Sequence, residues 1–328
     1  GNTFKIKLDT GAGSTTTPNG LSTPVMIDPD GDQVVDFAYA GDLYGNLWRF
    51  DLRDSNPSNW TAKLLFVARD SSAKAQPITS KPQVIRHPNG GLVILFGTGR
   101  YLGATDVTNT DPQTFYGVWD IHPDDPATPA TTITRANLQQ QTITVTGTTF
   151  RVSSANNVCW AGDTCTDSSG NPYTGTSQGW YIDLPGLTGQ AAERVVSDQL
   201  LIGPEIVFTS IAPNNDPCEF GGTSWLNILD AVTGKRVDAS FVTLSGGTGN
   251  QPITATPVGI QVTENGQTVT AAPTSAQFNT IMSAPTKMDA AYAINIYATT
   301  AEGKVQIAHL SAAGLAGRLS WRQLEFVQ

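Results

Sequence analysis

FAYAGDLYGNLWRFDL, residues Phe37 to Leu52, decides the fold class. Its two arms alternate apolar and polar side chains and flank Asp42–Asn46, where the Gly45-Asn46 pair suits a tight turn. The stretch reads as a β-hairpin. Its second arm runs through aromatic and aliphatic residues into an Asp, and the same ending recurs in WYIDL and LNILD.

Outward from this hairpin, similar units follow. One is GGLVILFGTGRYL (Gly90 to Leu102) with QTFYGVWDIH from Gln113. Another runs from GWYIDLPG at Gly179 through LIGPEIVFTSIAP to SWLNILDAVTGKRV, ending at Val237. A further unit pairs TPVGIQVTENGQTVTA (Thr256 to Ala271) with YAINIYATTAEGKVQIAHL (Tyr292 to Leu310), and GRLSWRQLEF lies near the C-terminus. Meandering hairpins repeating every 40–60 residues or so are the mark of propeller blades. The long stretches Asp120–Ala136 and Ala155–Ser177 break the period, so the expected fold is an all-β, modified β-propeller with long inserted loops. A β-sandwich with decorated loops is the structural alternative.

Composition agrees. The 328 residues include 32 Gly and 20 Pro, and only 14% are charged. Gly and Pro disfavour helix interiors, whereas Thr and aromatics suit strands. That excludes a helical bundle. No linker or shift in composition divides the chain, so residues 1–328 are expected to form one domain. The chain opens in mid-pattern with NTFKIKLDTGAG, which suggests that an N-terminal part of the propeller, with any signal peptide, is missing and the propeller incomplete.

A net charge of −9 opposes binding to nucleic acid or to anionic membranes, which is driven by clustered Lys and Arg. The apolar run Leu92 to Phe96 is far short of the ~20 residues that span a bilayer. Three cysteines, Cys159, Cys165 and Cys218, fit one disulfide and one leftover thiol in an exported protein. The Cys159–Cys165 pairing would staple a polar loop; Cys218 is the competing partner.

The segment with chemical content is DPDGDQVVD, Asp28 to Asp36. Asp28, Asp30, Asp32 and Asp36 stand at positions 1, 3, 5 and 9 of a loop, with Val34 at position 7. Carboxylates at alternate positions, with a backbone carbonyl at position 7, wrap Ca²⁺ in calcium loops. Without a cation these charges repel, by about 4 kcal/mol for a pair ~4 Å apart at an effective dielectric of 20. Mg²⁺ demands a stricter octahedron and retains its waters, so Ca²⁺ is the expected ion. An EF-hand is incomplete here, because Tyr39 occupies position 12 where a bidentate Glu belongs.

Other signals are weaker. GTSQG (Gly175 to Gly179) matches the nucleophile-elbow string, but that motif needs a strand before it and a helix after it. The histidines His87, His122 and His309 lack metal-ligand spacing. Asn59-Trp60-Thr61 forms a sequon, and Trp48, Trp180, Trp225 and Trp321 read as packing anchors.

DPDGDQVVDFAYAGDLYGNLWRFDL, FGTGRYL, FYGVWD, ERVVSDQLLIGPEIVFTS, DPCEFGGTSWLNILDAVTGKR and GRLSWRQLEF together resemble the C-terminal propeller of the PilC/PilY family of type IV pilus-associated adhesins. The resemblance implies a non-enzymatic, exported protein at the cell surface, outer membrane and pilus tip (the fimbrium). It implies pilin or minor pilins and a host-cell or surface receptor as partners, with roles in pilus biogenesis, adhesion and virulence. It also implies Ca²⁺ at Asp28, Asp30, Asp32, the Val34 carbonyl and Asp36, with occupancy regulating pilus extension against retraction. Two alternatives remain at this stage. A quinoprotein-type dehydrogenase shares the GDLYGNLWRFD hairpin, but its usual adjacent Cys-Cys pair is missing. A generic FG-GAP-like calcium-dependent propeller would repeat the Asp loop from blade to blade, and only one copy is present.

Overall fold

The computed structural model describes residues 6–129, 131–146, 150–186, 191–214, 221–237, 241–245, 260–264, 267–278, 280–290, 293–301 and 305–311. Among these the ordered elements are strands and three short 3₁₀ turns, with no α-helix.

The first strands are β1 (Val25–Ile27), β2 (Phe37–Gly41), β3 (Asn46–Asp51) and β4 (Thr61–Val67), an antiparallel meander. The second meander starts with β5 (Gln83–Arg86), β6 (Leu92–Gly97) and β7 (Thr114–Asp120). An inserted segment carries β8 (Ile133–Thr134), β9 (Gln139–Gln141), β10 (Ile143–Thr146) and β11 (Phe150–Ser153). A small hairpin, β12 (Thr164–Thr166) and β13 (Pro172–Thr174), precedes β14 (Gly179–Asp183). Then come β15 (Leu200–Ile202), β16 (Glu205–Pro213) and β17 (Gly222–Asp230). The remainder comprises β18 (Phe241–Ser245), β19 (Ile260–Glu264), β20 (Gln267–Ala271), β21 (Ser275–Phe278), β22 (Thr286–Ala290), β23 (Ala293–Thr299) and β24 (Val305–Ser311).

These strands make four sheets of four to six strands and two separate hairpins. The first sheet runs β1-β2-β3-β4-β8, the second β5-β6-β7-β14-β9, the third β10-β11-β21-β17-β16-β15 and the fourth β18-β24-β23-β22. The hairpin expected around Asp42–Asn46 is β2–β3, in register from Phe37↔Asp51 to Gly41↔Leu47.

Strand β6 shows why LVILF is apolar without interruption. Side chains alternate between the faces of a strand. Leu92, Ile94 and Phe96 pack with Tyr39, Leu47 and Phe66 of the first sheet, while Val93 and Leu95 pack with Ile206 and Phe208 of the third. The second sheet is therefore buried on both faces. Phe66 meets Tyr116 at 5.0 Å between ring centroids on one side, and Phe115 stacks on Phe208 at 4.0 Å on the other. A third cluster joins Val207, Leu226 and Ile228 of the third sheet to Ile296 and Ala298 of the fourth. Trp48, Trp180 and Trp225 are buried, as packing anchors should be.

The sequence reading is corrected in two places. GWYIDL is not part of the third unit; as β14 it pairs with β7 and completes the second sheet. Nor, among the described residues, does the Thr256–Ala271 segment pair with Tyr292–Leu310: β19–β20 is a hairpin of its own, and β23–β24 lies in the fourth sheet. The inserted segment also does more than loop outward. Strand β8 adds to the first sheet parallel to β4, β9 adds to the second parallel to β14, and β10–β11 enters the third. One stretch of about twenty residues thus stitches three sheets.

Candidate metal centre

The Asp28–Asp36 segment is the turn between β1 and β2, closed by the Ile27↔Phe37 pair. The Asp36 amide donates to the Ile27 carbonyl at 2.9 Å, and the Asp36 carbonyl accepts from Leu52 at 2.8 Å. Inside the turn the carboxylates organise the backbone. Asp28 accepts the Gly31 amide at 2.7 Å and the Gln33 amide at 2.8 Å through its two oxygens. Asp30 accepts from Asp32 at 3.1 Å, and Asp32 from Val34 at 2.8 Å. The curl requires left-handed backbone at Gly31 (φ +78°), where glycine carries no steric cost, and at Gln33 (φ +73°).

One carboxylate oxygen from each of Asp28, Asp30 and Asp36 lies within 4.8 Å of the others. Asp32, the fourth expected ligand, is outside that group, and the Val34 side chain, 60% exposed, points its apolar surface to solvent. Burial pushes the Asp36 carboxyl up, and repulsion from Asp30, Asp32 and Asp28 adds to it. Burial also acts on Asp28, but the amides of Gln33 and Gly31 outweigh it and hold that carboxyl below the usual range. The donor set, hard anionic oxygens in mutual repulsion on a turn already curled, fits a calcium ion.

Arg53 is the neighbouring cation. Its guanidinium grips Asp51 at 2.9 and 2.7 Å, reaches the Asp124 carbonyl at 2.8 Å, lies 4.9 Å from the Phe37 ring centroid, and draws the Asp36 pKa down. On another side Arg86 donates to the Pro29 carbonyl.

The remaining sequence signals resolve as structure. Cys159 and Cys165 form the expected disulfide, Cα atoms 6.1 Å apart. Cys218, Trp321, the GRLSWRQLEF segment, the start of the Thr256 unit and the His309 side chain lie outside the described residues. Ser177 bridges Trp160 and leads into strand β14, so no nucleophile elbow forms. His87 is buried against Trp119 and Trp160, with ring centroids 4.1 and 4.3 Å away. His122 offers its carbonyl to Thr128, and Asn59 donates to Asp54.

Sequence reading misses the buried charges. Arg49 pairs with Asp120, Arg151 pairs with Glu193 at 2.7 Å, and Arg194 is buried on backbone carbonyls. Each ion pair joins residues tens of positions apart, and no local spacing announces it.

A succession of small, mainly antiparallel sheets packed face to face is the architecture of a propeller. The chain belongs to the PilC/PilY family of type IV pilus-associated proteins, and its sheets are blades of a modified β-propeller. The family model for the PilY1 beta-propeller domain matches residues 3–156. The type IV pilus biogenesis factor PilY1 of Pseudomonas aeruginosa PAO1 is 35% identical over 280 residues, covering 73% of this chain and 23% of that protein. A PilY1 homolog of Xylella fastidiosa is 32% identical over 228 residues, covering 66% of this chain and 14% of that protein. The crystal structure of the P. aeruginosa PilY1 C-terminal domain superposes with a TM-score of 0.67 at 27% identity, covering 90% of this chain and 62% of that one. The chain spans less than a quarter of the length of the curated relatives it matches. Among the described residues no helix is long and apolar enough to cross a membrane.

Proposed function

We propose that the chain is a calcium-binding propeller module acting in type IV pilus biogenesis and adhesion. The observation that carries this reading is the convergence of Asp28, Asp30 and Asp36 oxygens within 4.8 Å on one strand-to-strand turn. In the proposal, Asp32 and the Val34 carbonyl complete the ligand set. Bound calcium supplies positive charge that cancels the repulsion among the carboxylates. This chain's own residues do the rest: the amides of Gly31, Gln33 and Val34 hold the carboxylates in a curled turn, and the Asp36 backbone ties that turn to Ile27 and Leu52.

The module is proposed to act without catalysis, at the cell surface, outer membrane and pilus tip, with pilin or minor pilins and a host-cell or surface receptor as partners. Its residues 1–328 are proposed as one domain. Occupancy of the turn is proposed to bias pilus extension against retraction, because the turn leads directly into Phe37–Ala40 of the first blade. A ligand shifts a conformational balance only by its preference for one state.

Titration calorimetry with Ca²⁺ and with Mg²⁺ tests the site. Wild type should bind Ca²⁺ in preference, and Asp36→Ala should bind it more weakly; equal affinity in the two proteins eliminates the turn as the site. Piliation tests the switch. Asp36→Ala should resemble calcium depletion, whereas Asp36→Lys, whose ammonium partly replaces the ion, should have the opposite effect. Weakened binding with unchanged piliation refutes the switch and leaves the site.

A further inference from the structure

A cavity of about 260 Å³ lies between the Asp42–Asn46 hairpin of the first blade and the loop that follows β6, lined among others by Tyr44, Arg100, Asp106, Asp111, Gln113 and Arg194. Its lining holds two arginines and two aspartates, but both carboxylates are already engaged. Asp106 is fully engaged by Arg100 at 2.9 Å and by the amides of Leu102 and Gly103 at 2.9 and 3.0 Å. Asp111 is engaged by Lys74 at 2.6 Å and Asn109 at 2.9 Å. Arg194, only 2% exposed, forms no ion pair among the described residues. Its guanidinium instead donates to the carbonyls of Ala192, Arg100, Asp106 and Asn109, at 2.6 to 3.0 Å. Lys74 stands outside the lining and takes Asp111, so Arg194 is the lining cation that forms no ion pair, in a protein whose overall charge is −9.

Two further observations point to a ligand. Gln113 is 5% exposed, its amide nitrogen donates to the Asp111 carbonyl at 3.0 Å, and its Oε1 has no partner. A buried acceptor left unpaired costs free energy that a donor recovers. Beside the cavity, Leu102 is 73% exposed and Tyr101 is exposed as well, on the loop that carries Arg100. A protein segment combines the required groups: a carboxylate for the surplus charge, backbone N–H groups for an orphaned acceptor, and an apolar neighbour to cover Leu102. An acidic sugar brings the charge and the donors but lacks that apolar neighbour.

We propose that this cavity binds the carboxylate of an aspartate or glutamate on a protein partner, with Arg100 as its accessible contact and Leu102 beneath the apolar residue next to that acid. Arg194 sets the field from below and positions the loop through the carbonyls of Arg100, Asp106 and Asn109. The inference is independent of the calcium reading.

The test is a ¹H–¹⁵N NMR titration with N-acetyl-Glu-Leu-amide, its Gln counterpart and glucuronic acid. The Glu peptide should shift amides between residues 99 and 113, and the Gln peptide should bind about tenfold more weakly, the factor expected for one lost charge-assisted contact. Arg100→Gln should reduce affinity for the Glu peptide by a similar factor, Arg100→Lys should recover part of it, and Leu102→Ser should weaken it severalfold. Asp36→Ala should change nothing, which separates this site from the metal centre. Dispersed spectra of each variant confirm folding. Equal binding of the Glu and Gln peptides, wild-type affinity in Arg100→Gln, absence of shifts in residues 99–113, or glucuronic acid binding as tightly as the Glu peptide would each overturn the proposal.

Discussion

Arg49 of β3 and Asp120 of β7 meet at 2.8 Å, 2% and 1% exposed, and tie the first blade to the second through a buried ion pair. The Tyr39 hydroxyl donates to the same carboxylate at 2.9 Å. The second guanidinium nitrogen of Arg49 is taken by the carbonyls of Asp125 and Thr128 at 3.2 and 2.8 Å, so each charge is met by more than one partner. Removing one member leaves the other buried and unpaired, at a cost of about 3–5 kcal/mol. Asp120→Ala should therefore lower unfolding stability by that amount in urea titrations, and Tyr39→Phe by about 1 kcal/mol. Asp51→Ala, which frees the partly exposed Arg53, should cost less than about 1 kcal/mol. Equal losses for Asp120→Ala and Asp51→Ala would show that burial does not set the energetics here.

Trp180 is enclosed between two glycines. A Cβ added at Gly117 would collide with its indole nitrogen, and one at Gly234 with its six-membered ring. Gly234 also has φ +67°, which a side chain resists. Gly117→Ala and Gly234→Ala should each destabilise the protein by about 1–3 kcal/mol through overpacking. Denaturant midpoints check this, and near-UV circular dichroism should report the displaced indole.

His87 carries a pH dependence. Burial lowers its pKa from the ordinary value of 6.5, with only Asp163 acting against it. The folded state therefore prefers the neutral ring. As pH falls below 6.5 the unfolded chain takes up a proton that the folded chain refuses, so stability declines until the lowered pKa is passed. Thermal melts from pH 7 downward should show this decline in wild type and a smaller one in His87→Gln. Identical slopes would remove His87 as the source.

The Arg53 guanidinium gives the proposed calcium site a sign test. A fixed cation beside Asp36 opposes the arrival of another cation. Arg53→Gln should thus raise calcium affinity, the reverse of the loss expected for Asp36→Ala. Calorimetry on the two variants decides it, and weaker binding in Arg53→Gln would contradict the electrostatic account.

Local chemistry made part of this molecule legible. The Gly45-Asn46 turn announced β2–β3, alternate Asp residues announced the acidic turn, and two cysteines six positions apart announced the staple. Pairings that depend on distant chain were not legible. WYIDL ends as the other arms do, yet it pairs with β7 on one side and β9 on the other, across an insertion that separates β7 from β14 in sequence. Strands β8 and β9, with the sequences IT and QQQ, are too short for any periodicity to show, and only their docking defines them. Arg49 sits in the most legible hairpin of all, and still its partner lies 71 residues away. Periodicity tells which face of a strand is covered, not what covers it.

The stitching of three blades by the segment from Ile133 to Ser153 has a mechanical meaning. A blade held only to its sequence neighbours peels away under tension one hydrogen bond at a time. Here β8 and β9 run parallel to the strands they dock on, so a pull along the inserted segment loads their bonds together, in shear. The first three blades consequently share tension that reaches the segment, through β8, β9 and the β10–β11 pair. Resistance to such a pull would then reside in the five residues of β8 and β9, of which Ile133 and Gln141 are buried.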